Sequence, residues 1–515
     1  MHPTLKQRLS RQWPMAIALM LALTVFLSEP LIVDFFQKGH LNWVSLDSLA
    51  IANHSSFNHG GVGYGCEEMD GVEGNHFHYF NRYPMFFAVL SRLVLQPFWG
   101  DAVAWLYAAR QWMNVIFIGT GLVLWWLLRT LHFSRVVATA SVLITLSAPV
   151  VLQYRSMFHF DQPALLAYGL LLVVVVRKLL CPDPSLRWYL GTLFVAAMTG
   201  RSAAVLIFSL VLPVVLTSWK PSAAAGEPEL KARTIFGVWA GVPLAFGSVG
   251  VATAYNVVWE ARLNQVPWQS TTVVQSALRR LGFTEIPGRL VERTRWLGGA
   301  IPKISAYLLE YFYQLLIVAA LLIVIRLMAF RFQHRTRFHD GNPADRLGSD
   351  RDPSRRLIVW SVGMTSLLWV VVMKNLFVFH IYAGMMLLPF VALVLAFTLE
   401  ALMAQLNGLG VVTPRLMDRG LVLASCSLFL VVLVFGPGAQ MRPSAARELK
   451  LRNFFAEFNV YRQGLSAGDY VWRDREWFPK SPTAQCALLD VPLWIGGDPK
   501  GVQFSEPPRF PERPD

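Results

Sequence analysis

The sequence is short of charge. Only 15% of its 515 residues are Asp, Glu, Lys or Arg, against about 25% in an ordinary soluble domain. Hydrophobic residues make up 54%, and the mean hydropathy is +0.43. Such a chain has too few polar side chains to cover a water-exposed globule. That excludes a single soluble domain and leaves an integral membrane protein. Cysteine is also scarce. Cys66, Cys181, Cys426 and Cys486 form no Cys-x-x-Cys pair, which argues against a structural zinc site or a dithiol redox motif. Cys66 and Cys486 can pair if both face an oxidising compartment; the alternative is two unpaired thiols. No Gly-rich phosphate loop, internal repeat or low-complexity tract is present. The first apolar stretch, ending near Val33, has no small-residue cleavage site after it. Ser28-Glu29-Pro30 interrupts its end instead, so it reads as a retained span.

What the chain does have is basic charge, +14 net. In a soluble protein this would suggest nucleic acid, but no recognition motif of that class appears, so no nucleic-acid partner is expected. In a membrane protein Lys and Arg mark cytoplasmic loops and meet anionic membrane lipid. Apolar segments long enough to span cover 14–33, 102–128, 136–152, 163–180, 190–217, 235–259, 304–325, 357–373, 377–398 and 420–437. Gly200 and Arg201 sit in the middle of 190–217, which therefore reads as a hairpin of two short helices. The expected fold is all-α, a polytopic transmembrane bundle of about 10–12 spans.

Basic loops fix the expected orientation. Lys6, Arg8 and Arg11 put the N-terminus in the cytoplasm, as do the arginines of 326–356. Then 34–101, the turn 153–162, the loop 260–303 and the tail 438–515 share the outer side of an inner membrane. The loop 260–303 is basic although it falls outside, which suits a surface for lipid phosphate. Residues 1–437 are read as the catalytic transmembrane domain, with 34–101 its large first outer loop. Residues 438–515 are read as a small folded outer appendage. Segment 84–99 carries Arg92 in an otherwise apolar run and suits an interfacial helix.

Ionisable groups at membrane depth are costly and mark function by default. Three clusters fall on the expected outer face. In the first, Asp34 follows the first span and Asp47 lies in the helical pattern WVSLDSLAIA. A carboxylate there can act as a general base on an acceptor hydroxyl; the plainer alternative is a solvated Asp. The second is YRSMFHFDQPALL, where Arg155, His159 and Asp161 crowd one turn. Asp161 could equally serve the start of the following helix. The third is KNLFVFHIYAGMMLLPF, with Lys374, His380 and Tyr382. Cations here could hold a phosphate leaving group, or Lys and Tyr could simply anchor the interface. His54, His59, His76 and His78 lack the fixed spacing of a zinc site. The sequence specifies no cofactor; a divalent cation held by the oxygens of Asp47 and Asp161 is compatible with the residues.

Taken in order, these motifs resemble the C-type glycosyltransferase superfamily, which includes protein O-mannosyltransferases, aminoarabinose transferases and RgtA-like lipid-directed transferases. The resemblance rests on Asp47 with NRYPMFFAVL in the first outer loop, on MFHFDQPALLAYGLL, and on HIYAGMMLLPFVAL. It covers roughly the first 400 residues; the tail matches nothing recognisable. It implies a multi-span helical fold, a polyprenyl-phosphate sugar donor and an inverting transfer to a lipid, glycan or protein acceptor hydroxyl. By position Asp47 resembles the base and Asp161 the second acid. Arg82 and Tyr83 stand where many relatives carry a His-Pro or Pro-Pro pair, and Asp47-Ser48 stands where many carry two adjacent acids. The chemistry agrees: a lipid-linked donor brings its own phosphate leaving group, so the enzyme needs a base for the acceptor and cations for the phosphate. Arg155, Lys374 and His380 are the expected cations. The rival reading is a transporter or flippase for a lipid-linked intermediate, which would be expected to show repeats and midplane broken helices.

Overall fold

The computed structural model describes 19–32, 40–55, 64–69, 75–79, 86–180, 185–200, 202–218, 228–271, 274–276, 278, 299–340, 353–409, 413–436, 443–465, 471–472 and 493–494. In chain order the helices are α1 (Leu19–Ser28), α2 (His40–Asn53), α3 (Phe86–Leu95), α4 (Ala102–Thr130), α5 (Arg135–Leu146), α6 (Pro149–Gln153), α7 (Asp161–Leu180), α8 (Leu186–Ala197) and α9 (Ser202–Ser218). Then follow α10 (Pro228–Leu263), α11 (Ile301–Asp340), α12 (Pro353–Val372), α13 (Lys374–Phe379), α14 (Leu388–Leu409), α15 (Pro414–Phe435) and α16 (Ala445–Gly464). Among the described residues, 6 helices are long and apolar enough to cross a membrane. The polytopic helical fold is the one expected from the sequence.

The long apolar runs form spans because a helix satisfies every backbone polar group internally, as hydrocarbon demands. Their ends are set by local chemistry. Asp101 caps α4, its carboxylate accepting from Val103 N at 2.8 Å and Ala104 N at 3.1 Å. Ser134 caps α5 through Val137 N at 3.1 Å. The expected hairpin in 190–217 is present as α8 and α9, turning at Gly200, whose φ is +141°. No such turn is easy for a residue with a side chain.

Two expected spans are interrupted. The segment 136–152 is α5 and α6, broken at Ser147-Ala148 before Pro149, which opens α6 at its first position. The residue before a proline disfavours helical geometry. The segment 377–398 begins with the end of α13, an extended His380 and a 3₁₀ stretch, Ile381–Leu387; the regular helix starts at Leu388. Segment 84–99 holds the helix α3, which buries Phe87, Ala88, Ser91 and Leu95 and leaves Phe86, Leu90 and Leu93 exposed. An exposed apolar stripe beside an inward face suits a helix lying at the bilayer surface.

The main core runs through α4, α5, α7, α8, α9, α12, α14 and α15. A second core occupies one end of the bundle. It joins α2, α3, the first turns of α4, Phe158 and Phe160, and Leu451, Phe454, Phe455 and Phe458 of α16. The tail's described residues are thus built into the first loop rather than standing apart. Asn459 of α16 even accepts a hydrogen bond from Ala102 N at 3.0 Å, serving the start of α4, and the Arg462 guanidinium lies 4.1 Å over the Trp99 ring.

A 4-stranded sheet, unforeseen from the sequence, repeats this link. Its strands are β1 (Tyr64–Met69), β2 (Asn75–Tyr79), β3 (Val471–Trp472) and β4 (Leu493–Trp494), ordered β2-β1-β4-β3. The β1–β2 pair is antiparallel, with Glu68 opposite His76. The tail's β4 lies parallel to β1, Glu68 opposite Leu493, and β3 lies parallel to β4.

Candidate active site

The site is built at the end of the bundle that holds the second core. Its centre is the turn between α6 and α7. Asp161 opens α7, where a carboxylate is favoured by the helix dipole, so the helix-start role weighed from the sequence coexists with any chemical one. Its Oδ2 lies 3.3 Å from His159 Nδ1, and both side chains are buried. A carboxylate beside one ring nitrogen fixes the orientation of an imidazole. The other faces of His159 meet aromatic rings: Phe160 at 5.7 Å and Tyr382 at 5.2 Å between centroids. Tyr382 in turn sits 5.7 Å from Tyr154 and 5.2 Å from His380. The second and third sequence clusters therefore share one site.

The first loop reaches the same place through side chains of α2 and α3. Ser45 of α2 is buried, and its Oγ accepts a hydrogen bond from Phe158 N at 3.2 Å. Phe87 of α3 packs on Phe158 at 5.4 Å and on Phe160 at 5.7 Å. Asp47 lies on α2, two residues from Ser45; its side chain is outside the described residues. So are Asp34, Arg82, Tyr83, Arg201, His59 and Cys486. Most of the basic loop is also outside them. Of its described cations, Arg262 stands over Trp259 at 5.6 Å and Lys303 over Tyr307 at 4.5 Å.

The turn is held rigidly. Gln162 Nε2 donates to the carbonyls of Tyr154 at 2.6 Å and Arg155 at 2.7 Å. Gly200 presses on it from the α8–α9 hairpin: a β-carbon there would lie 2.9 Å from the Phe160 carbonyl oxygen. Arg155 differs from its expected role. Its guanidinium donates to Leu152 O at 2.8 Å, to Ser28 Oγ at 3.2 Å and to Glu29 Oε2 at 3.2 Å. These bonds spend it on holding the turn to the end of α1. Lys374 and His380 are half-buried at the opening of the third cluster. Among the described residues, no group of three or more acidic, histidine or cysteine side chains is gathered for a metal.

The structure brings two further residues to this end of the bundle, Glu29 and Arg110. Glu29 Oε1 lies 2.9 Å from Arg110 Nε, and Arg110 also donates to Pro30 O at 2.7 Å and Leu31 O at 2.9 Å. The signal was available: Arg110 is a charge inside an apolar span and needed a partner.

The fold and this arrangement define a polytopic helical membrane protein with a buried acid–imidazole centre at one end of its bundle. No protein-family model matches the chain, and no curated protein matches it. Among solved structures it is similar to a crystal structure of ArnT from Cupriavidus metallidurans bound to undecaprenyl phosphate. The two share 12% identity and a TM-score of 0.55, over 94% of this chain and 86% of that one. The likeness is one of fold.

Proposed function

We propose that this protein is a membrane glycosyltransferase that moves a sugar from a polyprenyl-phosphate donor to an acceptor hydroxyl on the outer face of the inner membrane. One observation carries the reading. Three polar segments far apart in sequence, 40–55, 153–162 and 374–387, converge at one end of the bundle through Ser45–Phe158 and His159–Tyr382. A fold shared with a protein solved with undecaprenyl phosphate supports a lipid-phosphate donor.

In this reading the Asp47 carboxylate takes the proton from the acceptor hydroxyl as its oxygen attacks the sugar's anomeric carbon. The bond from that carbon to the phosphate oxygen breaks with inversion. The lipid phosphate leaves as an anion, met by Lys374 and His380. Asp161, through His159, orients the acceptor, and Tyr382 forms an aromatic wall beside it. Arg82 and Tyr83 are assigned to binding the donor. The basic loop 260–303 covers the lipid head group, and the N-terminus is cytoplasmic.

The test is sugar transfer from polyprenyl-phosphate sugars in membranes containing the wild type, Asp47→Asn or Asp161→Asn. Loss of one positioned acid or base costs about 10²–10⁴-fold. Transfer by the wild type with unchanged rates in both variants would remove the proposed site. A wild type that moves lipid-linked sugar across vesicles without transferring it would favour the flippase instead.

A further inference from the structure

We propose that Glu29 is a positioning residue: through Arg155 it fixes the turn that presents His159 and Asp161. The inference rests on the transferase reading and goes further, to a residue outside the reacting groups. Glu29 follows α1 and precedes Pro30. Its side chain is only 3% exposed, and it is shared by two buried guanidiniums, Arg110 of α4 at 2.9 Å and Arg155 at 3.2 Å. One carboxylate therefore joins three stretches that lie far apart in sequence: the end of the first helix, the side of α4 and the turn before α7.

Each cation makes further bonds: Arg110 to the backbone just past α1, Arg155 to its own turn and to the Ser28 side chain. Arg110 holds the carbonyls of Pro30 and Leu31, just past the carboxylate. Arg155 holds Leu152 O and Ser28 Oγ. From the other side Gln162, the neighbour of Asp161, holds the carbonyls of Tyr154 and Arg155. The chain from Tyr154 to Gln162 is thus clamped by a side-chain bond at each end, with His159 and Asp161 between. A buried ion pair is a poor device for stability alone, since apolar replacements often do as well. Its value here is geometric. A charge fixed by two forks leaves Arg155 one place to stand, and hence leaves the turn one conformation.

Glutamine at position 29 keeps the shape and removes the charge. Two guanidiniums would then face a neutral amide, and Arg155 would relax away from α1. A misplacement of about 1 Å at the reacting groups costs on the order of a hundredfold in rate.

The experiment uses the purified full chain and a polyprenyl-phosphate sugar, with rates normalised to folded protein. Glu29→Gln is expected to lower kcat on the order of a hundredfold, with the donor KM within about twofold. Glu29→Asp keeps the charge and is expected to recover part of kcat; it carries the test if Glu29→Gln does not fold. Because Glu29 acts through Arg155, Glu29→Gln/Arg155→Gln should be no slower than Arg155→Gln alone. Wild-type kcat per folded molecule in Glu29→Gln would overturn the proposal, as would a double variant whose loss is the product of the two single losses. A wild type that transfers no sugar would instead overturn the transferase reading, and this inference with it.

Discussion

Gly200 offers a sharp test of how the bundle supports its site. It turns the chain between α8 and α9 at φ +141°, and its carbonyl accepts from Ser202 N at 2.6 Å. Alanine there meets two costs. The backbone conformation is one that side-chain-bearing residues rarely hold, at about 1–3 kcal/mol. The added β-carbon would also lie 2.9 Å from the Phe160 carbonyl oxygen and 3.3 Å from Ala164 Cβ. That carbonyl cannot swing freely, because it accepts Ala164 N at 3.2 Å in the first turn of α7. Losing that bond adds roughly 1 kcal/mol. Gly200→Ala should therefore destabilise the protein by about 2–4 kcal/mol, and it should do so next to Asp161. The readouts are thermal unfolding in detergent, followed by intrinsic tryptophan fluorescence, and sugar transfer per folded molecule. Both should fall. Gly191 is the control: it lies inside α8 and a β-carbon there would meet nothing within 4 Å. Gly191→Ala should leave transfer unchanged and stabilise α8 by roughly 0.5–1 kcal/mol. A Gly200→Ala protein that melts and transfers like the wild type would refute this account of the hairpin.

Other outcomes follow from the same packing. Gln162→Leu removes one donor from each of the Tyr154 and Arg155 carbonyls, at a cost of about 0.5–1.5 kcal/mol per bond lost; detergent melting should drop, and transfer should fall further than stability alone explains. Phe458→Ala empties a fully buried position in the second core and should cost about 3–5 kcal/mol. Limited proteolysis should then cut the 443–465 region faster, while the spans of the main core stay protected. Trp369→Phe removes the indole donor to Ala383 O, at 3.2 Å in the wild type, and should loosen the 3₁₀ stretch carrying Tyr382. A lower transfer rate with little change in melting temperature is expected.

Much of this fold was legible because a bilayer leaves few choices. Long apolar runs became helices, and Gly200-Arg201 marked a turn inside one of them. Arg92 marked 84–99 as something other than a span. The breaks at Ser147-Ala148 and at His380 were harder to see, since apolar content continues across both while the backbone does not. The sheet was not legible at all. Its strands are two to six residues long, and β1 pairs with β4 across most of the chain, so no local pattern announces the pairing. At the site, the residue types in the turn point to Asp161 and His159, and the two side chains lie 3.3 Å apart. Arg155 was misjudged in role because a charge near a membrane surface looks free until its partners are known. Those partners, Glu29 and Ser28, lie more than a hundred residues earlier. In the sequence Glu29 stands only as an interruption at the end of a span.

The proposed transferase requires Asp47 and Asp161 to share one cleft open to the outer side. The direct measurement is thiol cross-linking in sealed, right-side-out vesicles. Cysteines replace Asp47 and Asp161 in a chain whose own Cys66, Cys181, Cys426 and Cys486 are changed to serine. A short, membrane-impermeant bis-thiol reagent added outside should join the two positions. If the vesicles must be opened before any cross-link forms, or if none forms in folded protein, the shared outer cleft does not exist.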